Sequence, residues 1–456
     1  MLTTNGTWRR SLVIAGVIAC VMAVSLIAAR VRRAEELGVY VTAADRMTNG
    51  EEIYRPTDRK AFTYPPFFAI PFVPLAQLPA SWQIPVWWAI NLSLAGAAGW
   101  LVFLLTRAVR EKSGQGRSAL WWSTAITGLL SAKFMLLPLV HGSHDLLILV
   151  VMLMSGLALA RGQQFTAGIG GGIAAACKAT PLLLLPFFIW QRKLRAAAAL
   201  IAALFVATLL PDLLFPHPSH KLWVEGWYSN FVGKVNVGSA PAASGAWKEW
   251  NELNQSLAGT VHRLTSVAPS NRAHLNVAIV SLEKNRAKLV TLGLDCLVLV
   301  FLAWLGWPRK LPAASHDDNH FHSLGYIGAT LCGMLLLSPM SSTYHFCGLM
   351  PAIAFLVTYW MYCERNRVVA AALGIQLLIS LLGGDLFGRL ADLALAGGLY
   401  TFDAAMLLVA CGYVLAHRIP KSAAIVPRQP ISIAPQSAVG VPATRRQPSS
   451  VSTKAA

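Results

Sequence analysis

The sequence predicts an all-α, polytopic membrane protein: a bundle of about twelve transmembrane or half-membrane helices with outward-facing loops. Three observations lead there. Of 456 residues, 55% are hydrophobic and only 13% charged, with a mean hydropathy of +0.53, whereas an average soluble domain carries about a quarter charged residues. Apolar runs close to the length of a hydrocarbon span, about 20 residues, recur along almost the whole chain. The short loops between them are basic, as the orientation rule for membrane proteins requires.

The first run, Leu12 to Ala29, follows Arg9-Arg10. It is longer than the 7–15-residue core of a signal peptide, and further spans follow it, so it reads as an uncleaved first helix. Later runs fall near 82–106, 119–140, 144–160, 166–177, 180–190, 196–215, 288–307, 323–338, 344–362, 367–383 and 399–416. The pair 166–177 and 180–190 is interrupted by "CKATP", where Pro181 prevents one continuous helix. Two half-length helices meeting at Lys178 require that turn to be buried in protein or to line a wet cavity. The stretch 66–79, "PFFAIPFVPLAQLP", has four prolines and is too short to span, so it is expected to be re-entrant or interfacial beside Trp82, Trp87 and Trp88. Residues 1–418 form the integral membrane domain. The Pro-, Ser-, Ala- and Gln-rich tail 419–456 lacks apolar periodicity and is expected to be a disordered, basic cytoplasmic extension.

The net charge of +18 comes from 38 Lys and Arg against 20 Asp and Glu. Spread over short loops, these bases suit orientation in a bilayer, and no nucleic-acid partner is expected. With the N-terminus in the cytoplasm, "RAVREKSGQGR", "RGQQ", "QRKLR", "WPRK" and "CERNR" all fall inside. Two long loops, about 31–81 and 216–287, then fall outside and are basic against the rule. Bases retained there point to anions. The seven cysteines lie mostly in apolar runs without CxxC or Cys/His spacing, which predicts small buried hydrophobes, no disulfide framework and no metal site.

Five polar stretches map to the outer side: the opening loop, "HGSHD" (141–145), "CKATP" (177–181), "NELNQSL" (251–257) and "SPMSSTYH" (338–345). Each has a bland reading. Ser143 suits a helix cap, Lys178 a snorkelling base, "NQS" a sequon, and His345 a satisfied cap. Together they carry more weight. The apolar stretch 66–79 and its tryptophans suit an acyl or isoprenoid chain, neighbouring bases suit a phosphate head group, and a carboxylate suits a general base. Lipid tail, phosphate and base describe transfer from a lipid-phosphate donor.

"ELGVYVTAADRMTNGEEIY" followed by "FTYPPFFAIPFVPLAQLP" resembles the opening signature of family 87 of the GT-C glycosyltransferases, polyprenyl-phosphate-mannose-dependent mannosyltransferases. The later stretches follow in that family's order over roughly residues 10–415. "HGSHD" stands for Gly-Gln-x-Asn, with Ser143 and Asp145 replacing Gln and Asn. "KATP" matches Lys-x-Thr-Pro and "NQSL" matches Asn-Gln-Ser-Leu. "SPMSSTYH" is similar to Ser-Pro-x-Ser-Trp-x-His-His, with Tyr344 in place of the first His. The resemblance implies a GT-C-type bundle in the inner (plasma) membrane with an extracytoplasmic active site. It also implies inverting transfer of a sugar, by default mannose, from a polyprenyl-phosphate donor to a lipid or glycan acceptor. The donor is a substrate; no cofactor or metal is implied. Glu36 is the implied base, with Asp45 as the other candidate. Lys178 and His345, then Arg59 and Lys60, are implied to meet the leaving phosphate. Asn254 and Gln255 are implied to orient hydroxyls, with Tyr40, Tyr64, His144 and Asp145 as further substrate contacts. A transporter or lipid flippase is the alternative.

Overall fold

A computed structural model describes residues 20–236, 238–267, 275–307, 316–383 and 387–417. The expected tail 419–456 and the start of the first helix lie outside the described residues. Among the described residues the chain is helix and loop, with no strand. In order come α1 (Cys20–Val31), α2 (Glu35–Thr48), a 3-10 turn at Pro66–Phe72 that continues into α3 (Val73–Ala76), α4 (Ala80–Lys112), α5 (Arg117–His141) and α6 (Asp145–Ala160). Next are α7 (Gln164–Cys177), α8 (Leu184–Trp190), α9 (Leu194–Leu214), α10 (Trp223–Asn230), α11 (Leu257–Thr265) and α12 (Lys284–Gly306). The chain ends with α13 (His316–Leu337), a rod over Thr343–Cys363 that contains α14 (Met350–Thr358), then α15 (Arg367–Leu382), α16 (Arg389–Ala396) and α17 (Leu399–His417).

Seven of these segments are long and apolar enough to cross a membrane, within α4, α5, α9, α12, α13, the 343–363 rod and α17. They form two populations. Only 22–33% of the apolar window is buried in α4, α5, α9 and α12, against 61–83% in α13, the rod and α17. The second group is therefore the centre of the bundle, and the first turns most of its apolar surface outward, as lipid-facing helices must. α7 is tied to α9 by small residues: a Cβ at Gly168 or Gly172 would stand 2.2 Å from the Ala196 carbonyl or 2.6 Å from that of Leu200. Close backbone approach of this small-xxx-small kind is a common way to pack helices in lipid.

The break at Lys178 is present. α7 ends at Cys177, Lys178 is extended (φ −152°, ψ 126°), and Thr180–Leu183 forms a 3-10 turn that leads into α8. α7 lies between α6 and α9, whereas α8 packs on α9 and α12. The stretch 66–76 is short as expected, but it packs inward: Phe68 and Phe72 are buried against Tyr40. Trp87 also departs from the interfacial expectation, because it is buried and its indole N–H donates to the Gly142 carbonyl at 2.8 Å. Of the cysteines, 177, 332, 347 and 411 are buried as expected, whereas Cys20 and Cys296 are exposed on their helices.

Two tight turns set the site. Between α1 and α2, Arg33 and Ala34 both take left-handed backbone (φ 56° and 40°), a conformation that costs non-glycine residues energy and persists only where packing enforces it. The packing is with the end of α5, where Gly142 (φ 67°) reverses the chain; a Cβ there would lie 2.7 Å from the Ala34 Cβ. Only glycine meets both demands. This contact brings the start of α2 against "HGSHD".

Candidate active site

Glu36 lies in the first turn of α2 and is 3% exposed. Its Oε1 accepts from two donors, the Lys60 ammonium and the Tyr344 hydroxyl. Lys60 comes from the loop after α2, and Tyr344 comes from the start of the 343–363 rod. Oε2 has no hydrogen-bond partner among the described residues. A carboxylate clamped through one oxygen and open at the other is suited to accepting a proton.

The second carboxylate is Asp145, the first residue of α6 and 5% exposed. Lys178 Nζ donates to its Oδ1 at 2.7 Å, and the Ser143 hydroxyl donates to Oδ2. The Asp145 N–H in turn donates to Ser143 Oγ at 3.2 Å, so Ser143 orders the helix start as a short polar side chain does. His345 Nε2 stands 3.9 Å from Asp145 Oδ2, beyond hydrogen-bond length. The Ser342 N–H donates to His345 Nδ1 at 3.1 Å, which leaves the proton of a neutral imidazole on Nε2. That nitrogen makes no hydrogen bond to Asp145.

Two covalent links join these centres. Tyr344 and His345 are consecutive, one facing Glu36 and the other Asp145. His144 precedes Asp145, and its Nδ1 pairs with the Tyr40 hydroxyl at 2.9 Å, one helical turn along α2 from Glu36. Tyr40, Tyr64 and Phe68 pack edgewise or tilted on the His144 ring, with centroids 5.4, 4.7 and 4.4 Å away. In this aromatic box burial pushes the His144 imidazole down to about 3, and burial raises the Tyr40 and Tyr64 phenols well above their ordinary range. His144 is therefore neutral at physiological pH.

A cavity of about 40 Å³ opens beside Asp145, Lys178 and His345. Its polar wall also includes Thr180, Ser338 and Ser341; the facing wall is Ile148, Leu149, Leu331, Met334 and Leu335. A charged end against an aliphatic wall suits the phosphate of a lipid. Among the described residues no three His, Cys, Asp or Glu side chains are grouped as a metal ion would need.

Not every residue singled out in the sequence reaches this cluster. Glu36, Lys60, Tyr40, Tyr64, His144, Asp145, Lys178 and His345 converge. Asp45 does not: nine residues on from Glu36, it falls on the opposite face of α2 and is exposed. Arg59 is exposed beside Lys60 and makes no hydrogen bond or ion pair with the cluster. Asn254 and Gln255 are fully buried and engaged elsewhere. Asn254 Oδ1 accepts from the N–H groups of Ser256 and Ser341, both at 3.2 Å. Gln255 donates to the Leu395 carbonyl at 2.7 Å and accepts from the Tyr400 N–H at 3.1 Å, while its own N–H donates to the Ser341 carbonyl at 2.8 Å. They brace the segment that carries Tyr344 and His345. One contributor escaped the sequence reading. The Tyr344 hydroxyl was visible only as a departure from a motif, although a phenol next to His345 was a usable signal.

The sequence model described as glycosyltransferase family 87 matches residues 62–339, more than half of the chain. The chain belongs to glycosyltransferase family 87. That membership favours an enzyme over the transporter or flippase alternative. The family-87 match takes in "HGSHD", "KATP" and "NQSL"; Glu36 and His345 flank it. Among curated proteins, a polyprenol-phosphate-mannose-dependent α-(1-2)-phosphatidylinositol pentamannoside mannosyltransferase of Mycobacterium tuberculosis is 24% identical over 330 residues, 71% of this chain and 66% of that protein. Its counterpart in Mycolicibacterium smegmatis is 25% identical over 71% of this chain and 69% of its own length. A polyprenol-phosphate-mannose-dependent α-(1-2)-phosphatidylinositol mannoside mannosyltransferase of Mycobacterium tuberculosis is 26% identical over 69% and 65%. The chain thus spans about two thirds of the length of the curated relatives it matches.

Proposed function

We propose that this family-87 protein is a membrane mannosyltransferase that moves a sugar from a polyprenyl-phosphate donor to a hydroxyl acceptor, with inversion, on the outer face of the inner membrane. One observation carries the reading: Glu36, open at Oε2, and the Asp145–Lys178–His345 group meet through the consecutive residues Tyr344 and His345.

The lipid phosphate enters the cavity beside Lys178 and the His345 Nε2–H, with its chain along the Leu331–Leu335 wall. Glu36 Oε2 takes the proton of the acceptor hydroxyl as its oxygen attacks the anomeric carbon. The bond from that carbon to the phosphate oxygen breaks, and polyprenyl phosphate leaves with the electron pair. Lys178 and His345 meet the charge that develops on the leaving oxygen. A β-linked donor attacked from the opposite side yields an α product, as the α-(1-2) in the names of all three relatives requires of them. Protein cations suffice in this scheme.

The test is transfer of radiolabelled mannose from polyprenyl-phosphate mannose in membranes that carry the wild type, Glu36→Gln or Asp45→Asn. The reading requires transfer that survives Asp45→Asn and collapses in Glu36→Gln. Equal transfer by all three proteins would remove Glu36 as the base, and no transfer by wild type would remove this donor.

A further inference from the structure

To accept a proton Glu36 must be ionised, yet it is 3% exposed, and a buried carboxylate without a counter-charge is costly. Among the described residues one cation is bonded to it, the Lys60 ammonium on Oε1. The sequence resemblance implies a different task for Lys60, at the leaving phosphate. The geometry points away from that task. Lys60 is absent from the walls of the cavity beside Asp145 and His345, where Lys178 already supplies a cation.

Lys60 reaches Glu36 from a braced loop. Arg46 of α2 grips Asp58 of that loop through two bonds, of 2.5 and 2.9 Å. The Tyr54 hydroxyl donates to the Tyr64 carbonyl at 2.9 Å, and the Ser244 hydroxyl donates to the Pro56 carbonyl at 3.0 Å. Gly245, with a φ of 79°, rests on Ala61, where a Cβ would stand 2.8 Å from the carbonyl oxygen. A lysine that only snorkels to water needs no such support, and an exposed ion pair adds little. Here one partner is 3% exposed and the other 32%, so water screens the attraction weakly. The other titratable groups around Glu36 do not supply a bonded cation. Tyr40 and Tyr64 are kept uncharged by burial, Tyr344 donates its hydroxyl to Oε1, and Glu35 is an acid on the same turn. His141 lies behind the Tyr344 ring, centroids 5.6 Å apart, and its Nε2 faces Arg32 Nη1 at 3.4 Å.

We propose that Lys60 is a positioning residue for the base: it holds Glu36 ionised and pinned through Oε1, which leaves Oε2 for the acceptor hydroxyl. This rests on the reading of Glu36 as the base. The acceptor proton passes to Oε2 while Lys60 keeps its own, so the pair goes from neutral to +1, and loss of the proton to water restores it. The cation makes the carboxylate a weaker base but keeps more molecules in the form that can act.

The test is an infrared titration of full-length protein in detergent, with the Glu36 acid band identified as the difference between wild type and Glu36→Gln. In Lys60→Met the pH at which that band appears is expected to rise by about 1–3 pH units, the usual effect of an adjacent opposite charge. Lys60→Gln, which keeps a donor but no charge and serves should the Met variant not fold, is expected to do the same. Lys60→Arg is expected to restore most of the wild-type behaviour, and Arg59→Gln, which removes the neighbouring exposed base, to leave it unchanged. In transfer assays the acidic limb of the pH profile is expected to move upward with the band in Lys60→Met, with the KM for polyprenyl-phosphate mannose unchanged. An acid band that does not move in Lys60→Met would overturn the proposal. So would a raised donor KM with an unmoved acidic limb, which would return Lys60 to the leaving phosphate. The infrared arm needs no turnover, so a wild type that transfers nothing would remove the transferase reading while the pairing is still tested.

Discussion

Two buried polar knots stand side by side at the same end of this bundle and differ in one respect. Around Arg263 the bonding is dense. Its guanidinium, 2% exposed, donates to the carbonyls of Ala396 at 2.7 Å, Asn251 at 2.8 Å, Asn254 at 2.9 Å and Glu249 at 3.1 Å, and reaches the Thr260 hydroxyl at 3.5 Å. Burial holds this guanidinium down, to about 10, and it stays charged at any physiological pH. Around Glu36 and Asp145 the bonding is incomplete: Glu36 Oε2 is open, His345 Nε2 stands 3.9 Å from Asp145 Oδ2, and a cavity adjoins both Lys178 and His345. A satisfied buried network rigidifies, whereas unfilled valences in a buried network are places for a ligand. Sequence motifs mark residues in both knots, and the pattern of satisfaction separates them.

That contrast can be broken by substitution. The largest effect is expected at Glu36: Glu36→Gln keeps the shape, removes the base, and is expected to lower transfer by about 10²–10⁴-fold without lowering the yield of folded protein. Lys178→Met is next, at about 10²–10³-fold in transfer rate, because it removes the cation that faces the leaving phosphate. At the other knot the order of symptoms reverses. Arg263→Met leaves four carbonyls unpaired and is expected to cost about 3–5 kcal/mol of stability, seen as a lower thermal unfolding midpoint and reduced yield. If Arg263→Met folds normally but fails in transfer, the two knots are not distinct in the way described.

Smaller and more diagnostic is the pH response of His144. Its folded value near 3 lies below the ordinary 6.5, so between those values the unfolded chain takes up a proton that the folded chain refuses. Stability is complete above about pH 6.5 and drains away as pH falls towards 3, by up to a few kcal/mol. Thermal unfolding across that range should be flatter for His144→Gln than for wild type. Least of all, Tyr344→Phe removes one of two donors to Glu36 Oε1 and is expected to lower transfer less than tenfold while leaving the stability within about 1.5 kcal/mol of wild type.

Much of this was legible in the residues. The spans, the break at Pro181, the short Pro-rich stretch and the five polar stretches all follow from hydropathy and local stereochemistry, which act within a few residues. Eight of the twelve residues named in advance for the site do converge. The remaining ones show where that legibility ends. Glu36 and Asp45 are equivalent as carboxylates on one helix, and their separation came from helical phase and from the Arg33–Ala34 turn, which presses the Glu36 face inward. Asn254 and Gln255 have the chemistry to hold sugar hydroxyls, but four backbone segments reach them first.

By itself, the sequence determined that this chain is a helical membrane protein whose polar chemistry is confined to a few loops, because the cost of placing charge and open backbone in hydrocarbon is set residue by residue. Which of those polar groups remain free was decided only by the tertiary structure. Whether a buried donor or acceptor is satisfied depends on partners up to 308 residues away, as Tyr344 is from Glu36, and no local property of a residue specifies which of them arrives first.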